Sequence, residues 1–362
     1  MGSYIQYYCY LEKKTYMSVD EILQAINNLP LKEQEQILQR IIDTNNRTEQ
    51  SDIHNIREEI HESNSIECPH CKSRKWIKFG SYRESQKYRC SECRRTFTSL
   101  TGSSAYRIHD KKKWTKYFSC LLAGYSLHKC AFQVGISYKT SFNWRHKILR
   151  SYRDIGRDKL SGVIEADETY FLDSKKGQKV RGRKPRKRGG VGAHGGATRD
   201  HISVVVAADR SGRMALRATG KRRPTSQDIV EALGRWVEKK RNLSKKTILC
   251  TDQYSAYSTF ARKKNLLHKQ IPGWDRKWTN RRIYHLQHVN NVHSKLKKWI
   301  RQFNGVSSKY LPNYLIYFKI KEIVKDFKNQ EDILLKYSLK NNNTYLPVNK
   351  FHRHFIKQYY CT

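Results

Sequence analysis

At 362 residues the chain is long enough for two or three domains, each with a buried core. It sets 72 Lys and Arg against 32 Asp and Glu, a formal net charge of +40, and such an excess repels itself unless a polyanion partners it, nucleic acid above all. No long apolar span, basic amphipathic anchor or basic-then-apolar leader stands in it, which argues against a membrane class and predicts a cytoplasmic protein.

Residues 1–16 have no clear period. Ser18 to Glu21 reads as a capping box directly after Met17, so the natural start is either Met17 or the first residue of a fixed extension. Two short helices are expected between Ser18 and Ile42, with stripes Ile22, Leu23, Ile26 and Ile37, Leu38, Ile41, broken at 27–30. Residues 44–65 are polar, a linker or a frayed helix.

Nine cysteines in a reducing compartment point to metal or plain burial rather than disulfides. Cys68 and Cys71, then Cys90 and Cys93, form two CxxC pairs with residues 72–89 between them. That spacing is the signature of a four-cysteine zinc ribbon, each pair a tight knuckle and the strands between them a hairpin. Cations such as Arg74, Lys78, Lys87 and Arg89 alternate with Trp76, Phe79, Tyr82 and Tyr88. A module of this composition suits phosphate contacts, or else serves as a structural ribbon for protein contacts.

Residues 110–150 read as three helices. The first runs from Lys113 to Ala123 and stops at Gly124; Ser126 caps the second, Gly135 turns the chain, and Ser137 caps a third helix to about Arg150. Helix, glycine turn, helix is the helix-turn-helix plan, which many small bundles share. On that plan the third helix offers Tyr138, Lys139, Ser141, Asn143 and Arg145 to a DNA groove.

From Leu160 onward the chain alternates strands and helices. The stretch 161–171 is a strand with Asp167 in its middle, and 246–257 repeats the pattern with Asp252 at the strand's end. A carboxylate in a mostly buried strand is costly without a partner. Glu165 shares the face of Asp167 at period two, while Glu168 points the other way. Between them, 173–200 is a basic loop carrying Arg181, Arg183, Lys184, Arg186, Lys187 and Arg188, either a solvated charge run or a segment that tracks DNA phosphates. His201 to Asp209 is a strand, Arg213 to Thr219 its hairpin partner, and Ser226 caps a helix through Lys240. His285 to Phe303 is helical, with Asn290, His293, Ser294 and Lys297 in a polar stripe beside its apolar face. Two strand carboxylates and one helix stripe could hold a pair of divalent metal ions. The order of elements predicts an α/β fold with a ribonuclease-H-like core.

The CPHC and CSEC pairs, IEADETYF, RGRKPRKRGG, TDQYSAY and the segment from His288 to Leu315 together resemble the zinc-ribbon insertion-sequence transposases of the DDE superfamily, the group with an ISXO-two-like transposase domain. The resemblance spans roughly 17–320. It implies a ribonuclease-H-like core, a structural Zn²⁺, two catalytic Mg²⁺ or Mn²⁺ ions and DNA strand cleavage followed by strand transfer. The first and second aspartates of the family correspond to Asp167 and Asp252. The third ligand falls on Asn290, with Lys297 seven residues later. The superfamily usually has Glu at that third position, and here no Asp or Glu lies between Asp275 and Glu322. The choice on the residues alone is among Asn290, Asn291 and His293; the family pattern selects Asn290, whose amide oxygen is a hard ligand suited to Mg²⁺.

The expected organisation is an N-terminal helical region and linker at 1–65, the zinc ribbon at 66–100, a helix-turn-helix at 108–152, a catalytic domain at 160–325 and a basic tail at 326–362. Expected partners are double-stranded DNA, as element ends and as target, and further copies of the chain assembled on it, in a bacterial cytoplasm at the nucleoid. Two rival functions remain: a DNA-binding regulator, which leaves the strand aspartates unexplained, and a ribonuclease-H-like nuclease that cuts without joining.

Overall fold

The computed structural model describes residues 24, 25, 28–30, 33, 34, 36, 53–60, 66–82, 85–154, 159–177, 200–237, 247–272 and 283–340. The chain divides into two units, Met1–Asn55 and Ile56–Thr362. Of the first, only short helical pieces and the turn at 28–30 are described. The Ser18 cap, most of the two expected N-terminal helices, the loop cations Arg181, Arg183, Lys184, Arg186, Lys187 and Arg188, and the final residues 341–362 lie outside the described residues.

The second unit begins with a three-stranded antiparallel sheet, β1 (Trp76–Tyr82), β2 (Ser85–Cys90) and β3 (Thr96–Thr98). The expected hairpin thus gains a third strand. Trp76, Tyr88 and Phe97 pack its small core, Trp76 edge-on to Tyr88 at 5.0 Å and Tyr88 stacked on Phe97 at 5.4 Å.

Three helices follow, α1 (Lys111–Leu122), α2 (Leu127–Val134) and α3 (Tyr138–Ser151). The side chains of Asp110, Ser126 and Ser137 cap them, accepting from the main-chain N–H three residues on. Gly135, at φ 67°, ends α2 in the left-handed conformation open to glycine. Gly124 (φ 68°) has a second constraint: a Cβ there would stand 3.1 Å from the Trp299 ring, so the turn after α1 seats that indole.

The large sheet holds five strands: β4 (Val163–Leu172), β5 (His201–Asp209), β6 (Met214–Lys221), β7 (Ile248–Thr251) and β8 (Leu267–Gln270), in the order β6-β5-β4-β7-β8. β4, β5 and β6 are antiparallel; β7 runs parallel to β4 and β8 parallel to β7. Helices α4 (Ser226–Leu233) and α5 (Ser255–Lys264) cover one face, where Ile164, Ala166, Val205, Ala207 and Leu249 meet Ile229, Leu233, Tyr257 and Phe260. Helix α6 (Gln287–Arg301) packs across β4 and β5 on the other face. Covered on both sides, β5 is buried from Ile202 to Asp209, which explains its unbroken apolar run. Helix α4 starts one residue earlier than expected, because Thr225 and Asp228 form a reciprocal capping box, and it ends at Leu233, well short of Lys240.

Helices α7 (Leu311–Val324) and α8 (Gln330–Lys340) complete the unit. The expectation of a tail from 326 onward fails for 330–340: Leu334, Leu335 and Leu339 form a buried stripe, and the Leu334 carbonyl accepts from Tyr152 Oη at 2.9 Å. The buried Arg57 donates to the Ser99 and Leu339 carbonyls at 2.7 and 2.6 Å. Among the described residues, no helix is long and apolar enough to cross a membrane.

Candidate active site

The register between β4 and β7 aligns the two strand aspartates. Ile164 pairs with Leu249 and Glu165 with Cys250; two residues further along these parallel strands stand Asp167 and Asp252. Asp252 is the first residue past β7, and its Oδ1 accepts the Tyr254 N–H at 3.1 Å in the turn that starts α5. Burial pushes the Asp167 carboxyl up to about 7, with the negative charges of Glu168 and Asp252 adding to the effect.

Glu168 faces the opposite side of β4, as period two requires, yet it belongs to the same cluster. Its carboxylate, 4% exposed, accepts from Tyr170 Oη at 3.1 Å, Tyr257 Oη at 3.2 Å and Arg223 Nε at 2.9 Å. Arg223 also reaches Asp252 Oδ2 at 3.3 Å and stacks on the Tyr254 ring, with Cζ 3.6 Å from its centroid. One guanidinium thus bridges the acids from the two strands. Arg223 went unnoticed in the sequence because one cation among 72 carries no positional signal.

From α6, His293 approaches the aspartates, with Nδ1 3.9 Å from Asp167 Oδ2. His293 is buried, and its Nε2 has no hydrogen-bond partner among the described residues. Burial, with the nearby Lys297 charge, depresses its pKa to about 4, so the ring is neutral near pH 7. Asn290 and Lys297 are exposed and flank it on the same stripe. A half-buried carboxylate pair and a neutral imidazole with an unsatisfied nitrogen suit a divalent cation.

The second metal-type cluster lies in the ribbon. The Sγ atoms of Cys68 and Cys93 are 3.6 Å apart, as are those of Cys71 and Cys90, and all four fall within 4.8 Å of one another. A tetrahedral ion with Zn–S bonds of about 2.3 Å sets its sulfurs about 3.8 Å apart, so the spacing fits. The two knuckles repeat one geometry: Lys72 N–H reaches the Cys68 carbonyl at 2.9 Å and Arg94 N–H the Cys90 carbonyl at 3.0 Å, with Lys72 and Arg94 both at positive φ.

The groove-facing set on α3 divides. Tyr138, Lys139 and Asn143 are exposed, but Ser141 and Arg145 are wholly buried. Arg145 Nη2 donates to the Tyr125 carbonyl at 2.5 Å and to Cys130 Sγ at 3.1 Å, while Ser141 Oγ donates to the Leu127 carbonyl at 2.9 Å. Helical period places both on the inward stripe with Trp144 and Ile148. The expectation that Arg145 faces DNA is therefore corrected: it is a core residue.

Comparison with known proteins agrees with the resemblance seen in the sequence. Residues 159–321 match the family described as ISXO2-like transposase domain. A curated relative, an uncharacterized protein in transposable element ISH50 of Halobacterium salinarum, is 28% identical over 280 residues, covering 75% of this chain and 90% of the relative. Similar solved structures include a pre-cleavage Mos1 transpososome (12% identity, 62% of this chain and 78% of that one, TM-score 0.21) and a Mos1 strand transfer complex (12%, 64% and 79%, TM-score 0.22). Over residues 159–321 the chain is thus similar to transposases of the kind carried by insertion sequences.

Proposed function

We propose that the chain binds the ends of its own insertion sequence as double-stranded DNA, cuts a strand there and joins the freed end to target DNA. The observation that carries this reading is the level placement of Asp167 and Asp252 on adjacent parallel strands beneath the polar stripe of α6. The strand order β6-β5-β4-β7-β8, with three antiparallel strands followed by two parallel ones, supports a ribonuclease-H-like core. Asp167 and Asp252 would hold a pair of Mg²⁺ or Mn²⁺ ions, with a third ligand from α6. Family position favours Asn290 for that role and proximity favours His293. When bound, such a pair activates a water or a 3′-hydroxyl and stabilises the leaving oxygen of an in-line phosphoryl transfer.

The protein's own groups supply positioning and charge. Lys297, exposed one turn beyond His293, would orient a DNA phosphate beside the acids. Arg223 keeps the paired acids balanced before DNA arrives and, being partly exposed, is free to turn to a phosphate. The ribbon adds a DNA-facing surface: on β1, Ile77, Phe79 and Tyr82 are exposed, with Lys87 and Arg89 each 5.3 Å from the Phe79 ring centre. Lys139 and Asn143 on α3 extend that surface in a helix-turn-helix reading, and the basic loop 173–200 would track phosphates. Assembly of several copies on DNA would bring two ends together.

The test is cleavage and joining of an oligonucleotide bearing the element end, with Mg²⁺ or Mn²⁺. Asp167→Ala and Asp252→Ala are expected to abolish both reactions while end binding persists. Cleavage without joining in the wild type would leave a nuclease; binding without cleavage under any metal would leave a regulator.

A further inference from the structure

Glu165 lies two residues before Asp167 on the same face of β4 but outside the acid cluster. Its carboxylate is 1% exposed, and five groups converge on it. Oε2 accepts the main-chain N–H of His288 at 2.7 Å and of Val289 at 3.2 Å. Oε1 lies 2.8 Å from His288 Nδ1, 3.2 Å from His285 Nδ1 and 3.2 Å from Arg210 Nη2.

Those two amides are the second and third of α6, the positions an N-cap side chain normally serves. The residue at the cap itself is Leu286, which has no side-chain acceptor, and no cap bond forms there. A helix begins with unpaired N–H groups and a partial positive charge. Here a buried carboxylate from a neighbouring strand satisfies both, and Arg210 and the two histidines surround it.

Glu165, His285 and His288 also present ligand atoms within 4.8 Å of one another. The guanidinium of Arg210, however, touches both Glu165 Oε1 and His285 Nε2, the latter at 2.8 Å. A cation already occupies that place, and the second carboxylate oxygen is committed to the helix. The arrangement is a cap with an ion pair rather than a metal site.

We propose that Glu165 is a positioning residue for strand cleavage: by capping α6 from β4, it holds Asn290, His293 and Lys297 in register with Asp167. The proposal rests on the reading above that Asp167 and α6 form the reaction centre. The cap lies immediately before Asn290 and one turn before His293, so an uncapped first turn would fray where the third ligand must be held.

Full-length Glu165→Ala and Glu165→Gln would be compared with the wild type in three measurements: hydrogen exchange of a peptide spanning 285–293, affinity for an element-end oligonucleotide, and the cleavage rate at saturating DNA and Mg²⁺. The alanine variant is expected to speed exchange in 285–293 and to lower the saturated rate by about 10- to 100-fold, as loss of an outer support does in metal enzymes, with end affinity changed less than about twofold. The glutamine variant keeps an acceptor for the two amides and should recover most of the rate, which also answers any failure of the alanine variant to fold. Unchanged exchange of the 285–293 peptide in the alanine variant, or an alanine variant cleaving within about twofold of wild type, overturns the proposal. A wild type that never cleaves, together with faster exchange in the alanine variant, would leave the cap as a fold device and overturn the transposase reading on which positioning depends.

Discussion

His293 Nδ1 stands 3.9 Å from Asp167 Oδ2. The contact joins the middle of β4 to the second turn of α6. His293→Ala is expected to slow end cleavage by about 10- to 100-fold, as outer-shell or ligand loss does at metal centres, while end binding is unchanged. Kinetics beside Asn290→Ala and Asn290→Glu assign the ligand: a dead Asn290→Ala with a partly active His293→Ala supports Asn290, and the reverse pattern moves the third ligand to His293.

Arg223 bridges Glu168 and Asp252 and so competes with any metal ion for their charge. A partly solvated unit charge near contact distance is worth on the order of 1 kcal/mol, so Arg223→Ala should lower the half-saturating Mg²⁺ concentration by about fivefold. Metal titration of the cleavage rate measures this. A higher Mg²⁺ requirement would mean that Arg223 organises the acids rather than competing for them.

In the ribbon, Cys68→Ser removes one of four convergent sulfurs. The variant is expected to lose about one equivalent of bound zinc and to become protease-sensitive within 66–98, while the five-stranded sheet still melts cooperatively. Zinc retained at wild-type content would show that the four cysteines hold no ion.

Arg145 and Lys139 share one helix and should respond in opposite ways. Arg145→Ala removes the guanidinium donor to the Tyr125 carbonyl and opens a cavity, costing about 2–4 kcal/mol of stability. Lys139→Ala and Asn143→Ala are expected to leave the melting temperature within about 2 °C of wild type and to weaken end binding. Melting and binding curves for the three variants separate core from surface.

Burial and the nearby Arg107 charge push Lys147 down to about 8, and its ammonium donates to the Tyr106 carbonyl. With the folded pKa below the ordinary lysine value, the unfolded chain binds more protons between about pH 8 and 10.5, so this group destabilises the fold below pH 8 and ceases to do so above pH 10.5. Lys147→Met should therefore raise the melting temperature at pH 7, and the gain should shrink as pH climbs through that window. Thermal melts of both proteins across pH 7–10.5 check the sign.

Local chemistry alone determined much of this protein. The CxxC spacing, the Ser126 and Ser137 caps, Gly135 and the apolar strands of the large sheet were legible because each depends on near neighbours in the chain. So was the presence of Asp167 and Asp252 at strand positions, and Glu165 could be placed on the face of Asp167 by period two. Only the tertiary structure decided what lies across from them. Parallel pairing of β4 with β7 brought two aspartates 85 residues apart level with each other. The packing of α6 put His293 beside Asp167 and turned Glu165 into the cap of a helix more than a hundred residues away. Arg145 reads as a groove contact in sequence because arginine is usually exposed; in the fold, its long stem and fork of donors find buried carbonyl and sulfur partners. Helix periodicity shows which residues share a face, whereas burial depends on what the rest of the chain brings to that face.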